Sequence, residues 1–222
     1  MIHKTIVPPT PPRVSEELET FRFTPIDADE WLDISDSIVA KEVIENIKKL
    51  RIEKSKLVGT TLTALNLDKC EFSDTVIESA ALTALRTYKA QFQRVTFGDT
   101  RATGADFAES YFEDCLFKDM KLDEAGFRMA QFKRVCFENC VLTKADFYQA
   151  KLTHVTFENC ELEQTNFDQA ICTSVDLRGE NLSLIQGVLG LKQAMISQEQ
   201  LIQIAPLLAH ELGFVMEDDD ST

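Results

Sequence analysis

From Ser55 to Gly187 a large apolar residue recurs at every fifth position. Counted from Leu57 to Leu182 this gives 26 positions, (182 − 57)/5 + 1, with no insertion or deletion. Leu, Ile or Phe fills 23 of the 26; Thr87, Ala102 and Cys172 are the exceptions. Two residues before each of them stands Ala, Ser, Thr, Cys or Val in 22 of 26 cases, the exceptions being Leu65, Leu85, Met120 and Glu180. A helix repeats its apolar face about every 3.6 residues and a strand every 2, so neither accounts for a period of five. The pattern predicts a chain that turns a corner every five residues. Four corners close a coil of 20, and coils stack as parallel strands do, about 4.8 Å apart. The large residue and the small one two before it point inward, and the other three face solvent.

Longer echoes obey the same arithmetic. QFQRVTFGDT (91–100), QFKRVCFENC (131–140) and KLTHVTFENC (151–160) are offset by 40 and 20 residues, whole coils. Phe92, Phe132 and Leu152 therefore belong to one inner column, and Phe97, Phe137 and Phe157 to the next. Charge gives an independent check, because the frame was set from apolar residues alone. Of 34 charged residues between 55 and 187, 20 acidic and 14 basic, 33 occupy outward positions and only Glu180 an inward one. At one site the volumes are inverted: Leu85 is large where a small residue is expected, and its neighbouring centre is Thr87. Either the pair exchange volumes, or the chain bulges there.

The pattern A(D/N)(L/F)xx stands nearly outright in GADFA (104–108), KADFY (144–148) and QTNFD (164–168). Over about 130 residues the chain resembles the pentapeptide repeat proteins. That resemblance implies an all-β solenoid, a right-handed quadrilateral β-helix, here of about 6–7 coils with a C-terminal α-helical cap. The chain resembles the quinolone-resistance members, which bind and protect DNA gyrase and topoisomerase IV by imitating duplex DNA.

The flanks need separate readings. Residues 1–14, with PPTPPR, are expected to be disordered, and 15–54 to form an N-terminal cap or an irregular first coil. Within that stretch 35–53 has two readings. Val39, Val43, Ile47 and Leu50 suit an amphipathic helix, whereas Ile47 and Ile52 carry the five-residue frame backwards. After the repeats (55–187), 188–216 are expected to form a helical cap and dimerisation segment. Ser197 with Gln200 makes a capping box, Pro206 is expected to break or kink the helix, and Gly213 suits its end. Leu201, Ile204, Leu208 and Leu212 fall on one helical face, and Phe214 opens FVM (214–216), a candidate strand at a dimer seam. Residues 217–222 read as a solvated acidic tail.

Composition narrows the function. The formal net charge is −14, which disfavours direct binding of nucleic acid, a task for clustered Lys and Arg. No run of 18 apolar residues is present, and the N-terminus lacks a signal-peptide core, so no membrane association and a cytoplasmic location are expected. Six cysteines without paired spacing and three scattered histidines (3, 154, 210) make no zinc pattern. A filled coil offers little concavity for catalysis. Cys136 is the one outward cysteine of the repeat, and His154, the nearest histidine, belongs to another corner. An enzyme is not expected, nor a metal or a cofactor.

Summed by wall, outward charges give about −3 on the side centred on 57, 77 and so on to 177. Its acids are Glu78, Asp99, Asp119, Glu138, Glu158 and Asp176, against Lys56, Lys118 and Arg178. Glu138 stacks on Glu158, and Asn139 on Asn159 as a potential amide ladder. The side centred on 72 to 172 sums to zero, with Lys133, Arg134 and Lys151 clustered near Tyr111 and Glu113. Two functions fit. One is a DNA-mimicking rod that binds gyrase or topoisomerase IV, as the resemblance implies. The other is an interaction scaffold for an unrelated protein partner. A homodimer through the C-terminal segment is compatible with both.

Overall fold

The computed structural model describes residues 5–67 and 69–215. From residue 69 to Asp176 successive strands pair in parallel at a step of 20: Phe72 with Phe92, Phe112 with Phe132, Phe137 with Phe157. The strands are β1 (Glu19–Phe21), β2 (Trp31–Ser35), β3 (Ser37–Ala40), β4 (Lys49–Glu53), β5 (Lys56–Val58), β6 (Asn66–Leu67), β7 (Lys69–Glu78) and β8 (Arg86–Thr87). They continue as β9 (Gln91–Gly98), β10 (Tyr111–Lys118), β11 (Gln131–Glu138), β12 (Lys151–Glu158) and β13 (Ile171–Asp176). Single bridges such as Arg101 to Lys121 and Asp146 to Asn166 close the other two sides, again at a step of 20.

The inward assignment holds at every site. All 52 inward positions from Ser55 to Leu182, 2 for each of 26 units, are buried. Phe side chains fill the centre as three ladders with ring centroids about one coil apart. They are Phe72–Phe92–Phe112–Phe132, Phe97–Phe117–Phe137–Phe157 and Phe107–Phe127–Phe147–Phe167. Within a ladder rings stack, as Phe92 and Phe112 do at 4.7 Å; between ladders they meet on edge, an arrangement that aromatic quadrupoles favour. Each corner is one left-handed residue. From Asp74 to Gly179 every fifth residue has positive φ, most of them not glycine. Leu85 and Thr87 are both buried at in-frame inward sites, with Ala84 and Lys89 in their corners as elsewhere. Volume exchange is therefore what happens there, with no bulge. It leaves the Thr87 hydroxyl buried without a hydrogen-bond partner.

The winding extends further towards the N-terminus than the five-residue frame reaches. Nine strands, β1-β3-β5-β7-β9-β10-β11-β12-β13, succeed one another along one path. That makes about eight turns where 6–7 were expected. The added turns are shorter. Glu19 pairs with Ser37, Trp31 with Lys49 and Ile38 with Lys56, all at a step of 18. Residues 35–53 are coil, not helix: Ile47, Leu50 and Ile52 are buried in frame while Val43, on the would-be helical face, is 57% exposed. Arg51 stacks on Trp31 at 4.6 Å and pairs with Asp33 and Glu71, tying the short turns to the regular ones.

The N-terminal flank departs from expectation and the C-terminal one mostly follows it. Residues 5–14, expected to be disordered, run along the wall, where the amides of Thr10 and Arg13 donate to Asp114 and Asp74. Buried acceptors hold in place a segment that its proline content alone marks as unstructured. Residues 1–4 and the expected acidic tail, 217–222, lie outside the described residues. At the other end a 3-10 turn (Val188–Leu191) leads into α1 (Gln198–Glu211). The capping box of Ser197 and Gln200 forms, and Gly213 ends the helix at φ 77°. Pro206 does not break α1. It lies on the exposed side, as does Ile202, the residue four before it whose carbonyl loses its helical N–H partner there.

Candidate functional site

The described surface is four ladder-like walls, so candidate sites are columns of side chains one coil apart. On the acidic wall, Glu78, Asp99, Asp119 and Glu158 are exposed and Glu138 is half-buried. The structure places Glu78, Glu138, Glu158 and Asp176 on this wall and Asp99 and Asp119 at the corner that bounds it, and it neutralises some of them. Lys118 pairs with Glu138 at 2.7 Å. Arg178 forks onto Asp176 with contacts of 2.9 and 2.7 Å, which holds that carboxyl below the usual aspartate range. At the neighbouring corner an amide ladder runs as expected and one coil beyond: Asn159 donates to Asn139 and Asn139 to Asp119. Glu78, Asp99, Asp119 and Glu158 are left without an ion pair among the described residues.

The basic spot of the adjoining wall, which the same strands enter before the acidic one, is an ion-pair network. Arg134 forks onto Asp114 (2.7 and 2.6 Å) and reaches Glu113 (2.7 Å), which Lys133 also binds at 2.7 Å. Arg94 forks onto Asp74 in the same way, at 2.6 Å twice. The column thus alternates Asp74, Arg94, Asp114, Arg134. Asp74 and Asp114 are only 5% and 7% exposed although their positions point outward. Their arginines hold both carboxyls below the usual range against the opposing effect of burial. Burial, with a hydrogen bond to Glu113, pushes the Tyr111 hydroxyl up to about 12. The alternating charge was legible in the sequence, but the burial was not.

The C-terminal cap divides the expected apolar face. Ile204 is buried and Leu208 half-buried against the last coil, whereas Leu201, Leu212 and Phe214 are exposed, as are Ile202 and Val215. Polar side chains that periodicity missed close the coil. Gln200 donates to the Leu177 and Glu180 carbonyls, Gln203 accepts from Leu182 N–H, and Glu211 accepts from Val188 and Leu189 N–H. Glu180, the one inward charge, accepts from Cys160 N–H at 2.8 Å, and burial raises its pKa. Phe214 and Val215 form no strand; Met216 lies outside the described residues.

The cysteines are buried and free. Burial raises Cys136 to about 11, and Cys115 and Cys172 to about 12, far from a thiolate at neutral pH. Cys136 meets Glu158 at 3.9 Å, and the buried Nδ1 of His154 has no hydrogen-bond partner, so no Cys–His pair is formed through it. Among the described residues no three His, Cys, Asp or Glu side chains are grouped to hold a metal, and no helix is long and apolar enough to cross a membrane.

Comparison with known proteins agrees with the period of five. Residues 91–167 and 110–185 match the model of a pentapeptide repeat region. No curated protein sequence matches the chain. Among solved structures it is similar to QnrB1, a plasmid-mediated fluoroquinolone resistance protein, at 12% identity and a TM-score of 0.39, covering 83% of this chain and 100% of that one. It is also similar to HetL, a pentapeptide repeat protein involved in heterocyst differentiation regulation in the cyanobacterium Nostoc sp. strain PCC 7120. There the identity is 14% and the TM-score 0.36, over 76% of this chain and 89% of that one. A pentapeptide repeat protein of the Arabidopsis thaliana thylakoid lumen matches at 18% identity and a TM-score of 0.30, over 41% and 64%. Likeness at these identities and scores carries no functional information.

Proposed function

Because the chain carries a pentapeptide repeat β-solenoid, we propose that it is a non-catalytic, protein-binding rod that presents its acidic wall to a cationic, DNA-handling surface. DNA gyrase and topoisomerase IV are the specific candidates, with protection from quinolones as the consequence. The observation that carries this reading is the group of exposed acids in two neighbouring columns, Glu78 and Glu158 along the strands and Asp99 and Asp119 at the corner beside them. Exposed charges on a rigid scaffold steer association and set its register. The regular repeat, about 6.5 coils at 4.8 Å, spans about 31 Å. Duplex DNA of that length carries about 18 negative charges. The repeat region nets 14 − 20 = −6, so mimicry here is of shape with sparse charge.

A second reading, a partner unrelated to topoisomerases, is favoured by the pairing of Lys118 with Glu138 and Arg178 with Asp176, which dilutes the wall further. A gyrase supercoiling assay with and without ciprofloxacin separates the two. The first reading expects inhibition or protection at micromolar protein, weakened in Glu138→Lys/Glu158→Lys. No effect at any concentration abandons it for the second. The exposed apolar surface of α1 and its exit supports a homodimer. In sedimentation the full chain is expected to run as a dimer, and Leu212→Glu/Phe214→Glu, altered only at exposed sites, as a monomer.

A further inference from the structure

The N-terminal segment Val7–Arg13 reads VPPTPPR, a three-residue repeat in which Val7, Thr10 and Arg13 alternate with pairs of prolines. Proline fixes φ near −65° and favours the polyproline II helix, three residues per turn and about 3.1 Å per residue. Burial along the segment has the same period: Ile6, Pro9 and Pro12 are half-buried and the residues between them exposed. One edge of such a helix therefore lies on the protein.

What it lies on is built to match. Thr10 N–H donates to Asp114 Oδ1 at 2.9 Å and Arg13 N–H to Asp74 Oδ1 at 3.0 Å. These acceptors are 40 residues apart, two coils, or about 9.6 Å. One polyproline II turn advances about 9.3 Å. The wall and the ligand thus share a repeat, two coils to one turn. Proline lacks an N–H, so only every third residue of an x-Pro-Pro sequence has a donor to offer, and only every second coil here has a carboxylate to receive it. Arg94 and Arg134 at the intervening levels orient those carboxylates by two-point contacts. The next step of the same track reaches the level of His154, whose Nδ1 is buried and has no hydrogen-bond partner.

We propose that the wall bearing Asp74, Arg94, Asp114 and Arg134 is a binding site for proline-rich segments of the form (x-Pro-Pro)n, and that residues 7–13 are its occupant in cis. A proline-rich partner must displace this strap, so the strap sets the threshold for binding. The site is the corner column that adjoins the acidic wall; it uses none of the acids of the proposed function and stands or falls apart from it.

The test uses the full chain and the double variant Thr10→Pro/Arg13→Pro. The variant removes both donated N–H groups, retains the polyproline backbone and touches no residue of the coil. A fluorescein-labelled peptide of residues 5–16 is titrated against each and followed by anisotropy. The expected result is binding to the double variant at least tenfold tighter than to the unaltered chain, with (Ala-Pro-Pro)4 competing. Adding Asp74→Asn and Asp114→Asn to the double variant should weaken binding at least tenfold. Equal binding to both chains, no binding to either, or equal competition by an alanine-rich peptide without proline would overturn the proposal.

Discussion

One residue in five of this rod stands in left-handed backbone, a conformation that costs an ordinary residue about 1 kcal/mol. Ala64 and Ala84 bear that cost at ordinary corners. Gly104 occupies the same kind of corner at φ 63°, with nothing near the place of a Cβ. Gly104→Ala is expected to lower stability by about 1 kcal/mol in urea denaturation. Gly187 has the same sign of φ, but a Cβ there would collide with the backbone of Phe167 and Asp168. Gly187→Ala should therefore cost about 3 kcal/mol or more. Thr87→Val replaces a buried, unpaired hydroxyl by a methyl group and should raise stability by about 1 kcal/mol.

Titration follows burial in the same local way. Glu180 binds its proton more tightly folded than unfolded, because burial raises its pKa. Its effect on stability is most favourable below the ordinary glutamate value of about 4.3 and declines as pH rises through the raised value. Asp74, Asp114 and Glu113 act oppositely. With pKa values lowered mainly by Arg94, Arg134 and Lys133, they stabilise above about pH 4 and lose that effect as pH falls. Glu180→Gln should remove the decline towards neutral pH and leave the acid limb unchanged, as read from urea midpoints between about pH 3 and 7.

Among the elements, the Phe ladders show how much a period of five conveys. Phe132 is fully buried, stacks on Phe112 at 5.0 Å and meets Phe127 and Phe137. Phe132→Ala is expected to cost about 3–5 kcal/mol. Phe72, with Phe92 as its ring neighbour at 5.1 Å, should cost less when truncated. These columns were legible because inward and outward positions separate cleanly by hydropathy. Helix α1 was legible only in part. Its capping box and glycine stop are local signals, and both formed. Which side it would bury depends on what the last coil presents. That end offers unpaired backbone groups, the carbonyls of Leu177 and Glu180 and the N–H of Leu182. Glutamines satisfy them where leucines cannot, so α1 turns Gln200 inward and leaves Leu201 outside.

For the whole molecule, the period of five and the inward and outward positions could be read from 55 to 187, but the 18-residue turns before it could not. A turn of 18 has no constant internal period; only the pairing of Trp31 with Lys49 or Ile38 with Lys56 reveals it. The strap was hidden for a different reason. Proline content predicts lack of self-contained structure, and the segment indeed makes none. Its order comes from Asp74 and Asp114, which the sequence places 61 and 104 residues away.

The strap also changes what it means to hold this rod by its ends. Hydrogen bonds between coils all run along the axis, so tension should peel turns one at a time. Each regular turn would release about 68 Å of contour and each short one about 61 Å. A handle on residue 5 does not grip the first turn. It pulls first on Thr10 and Arg13, anchored at the levels of Asp114 and Asp74. In an optical trap an early, small rupture should therefore precede the regular steps, and Thr10→Pro/Arg13→Pro should erase that rupture while leaving the step size unchanged.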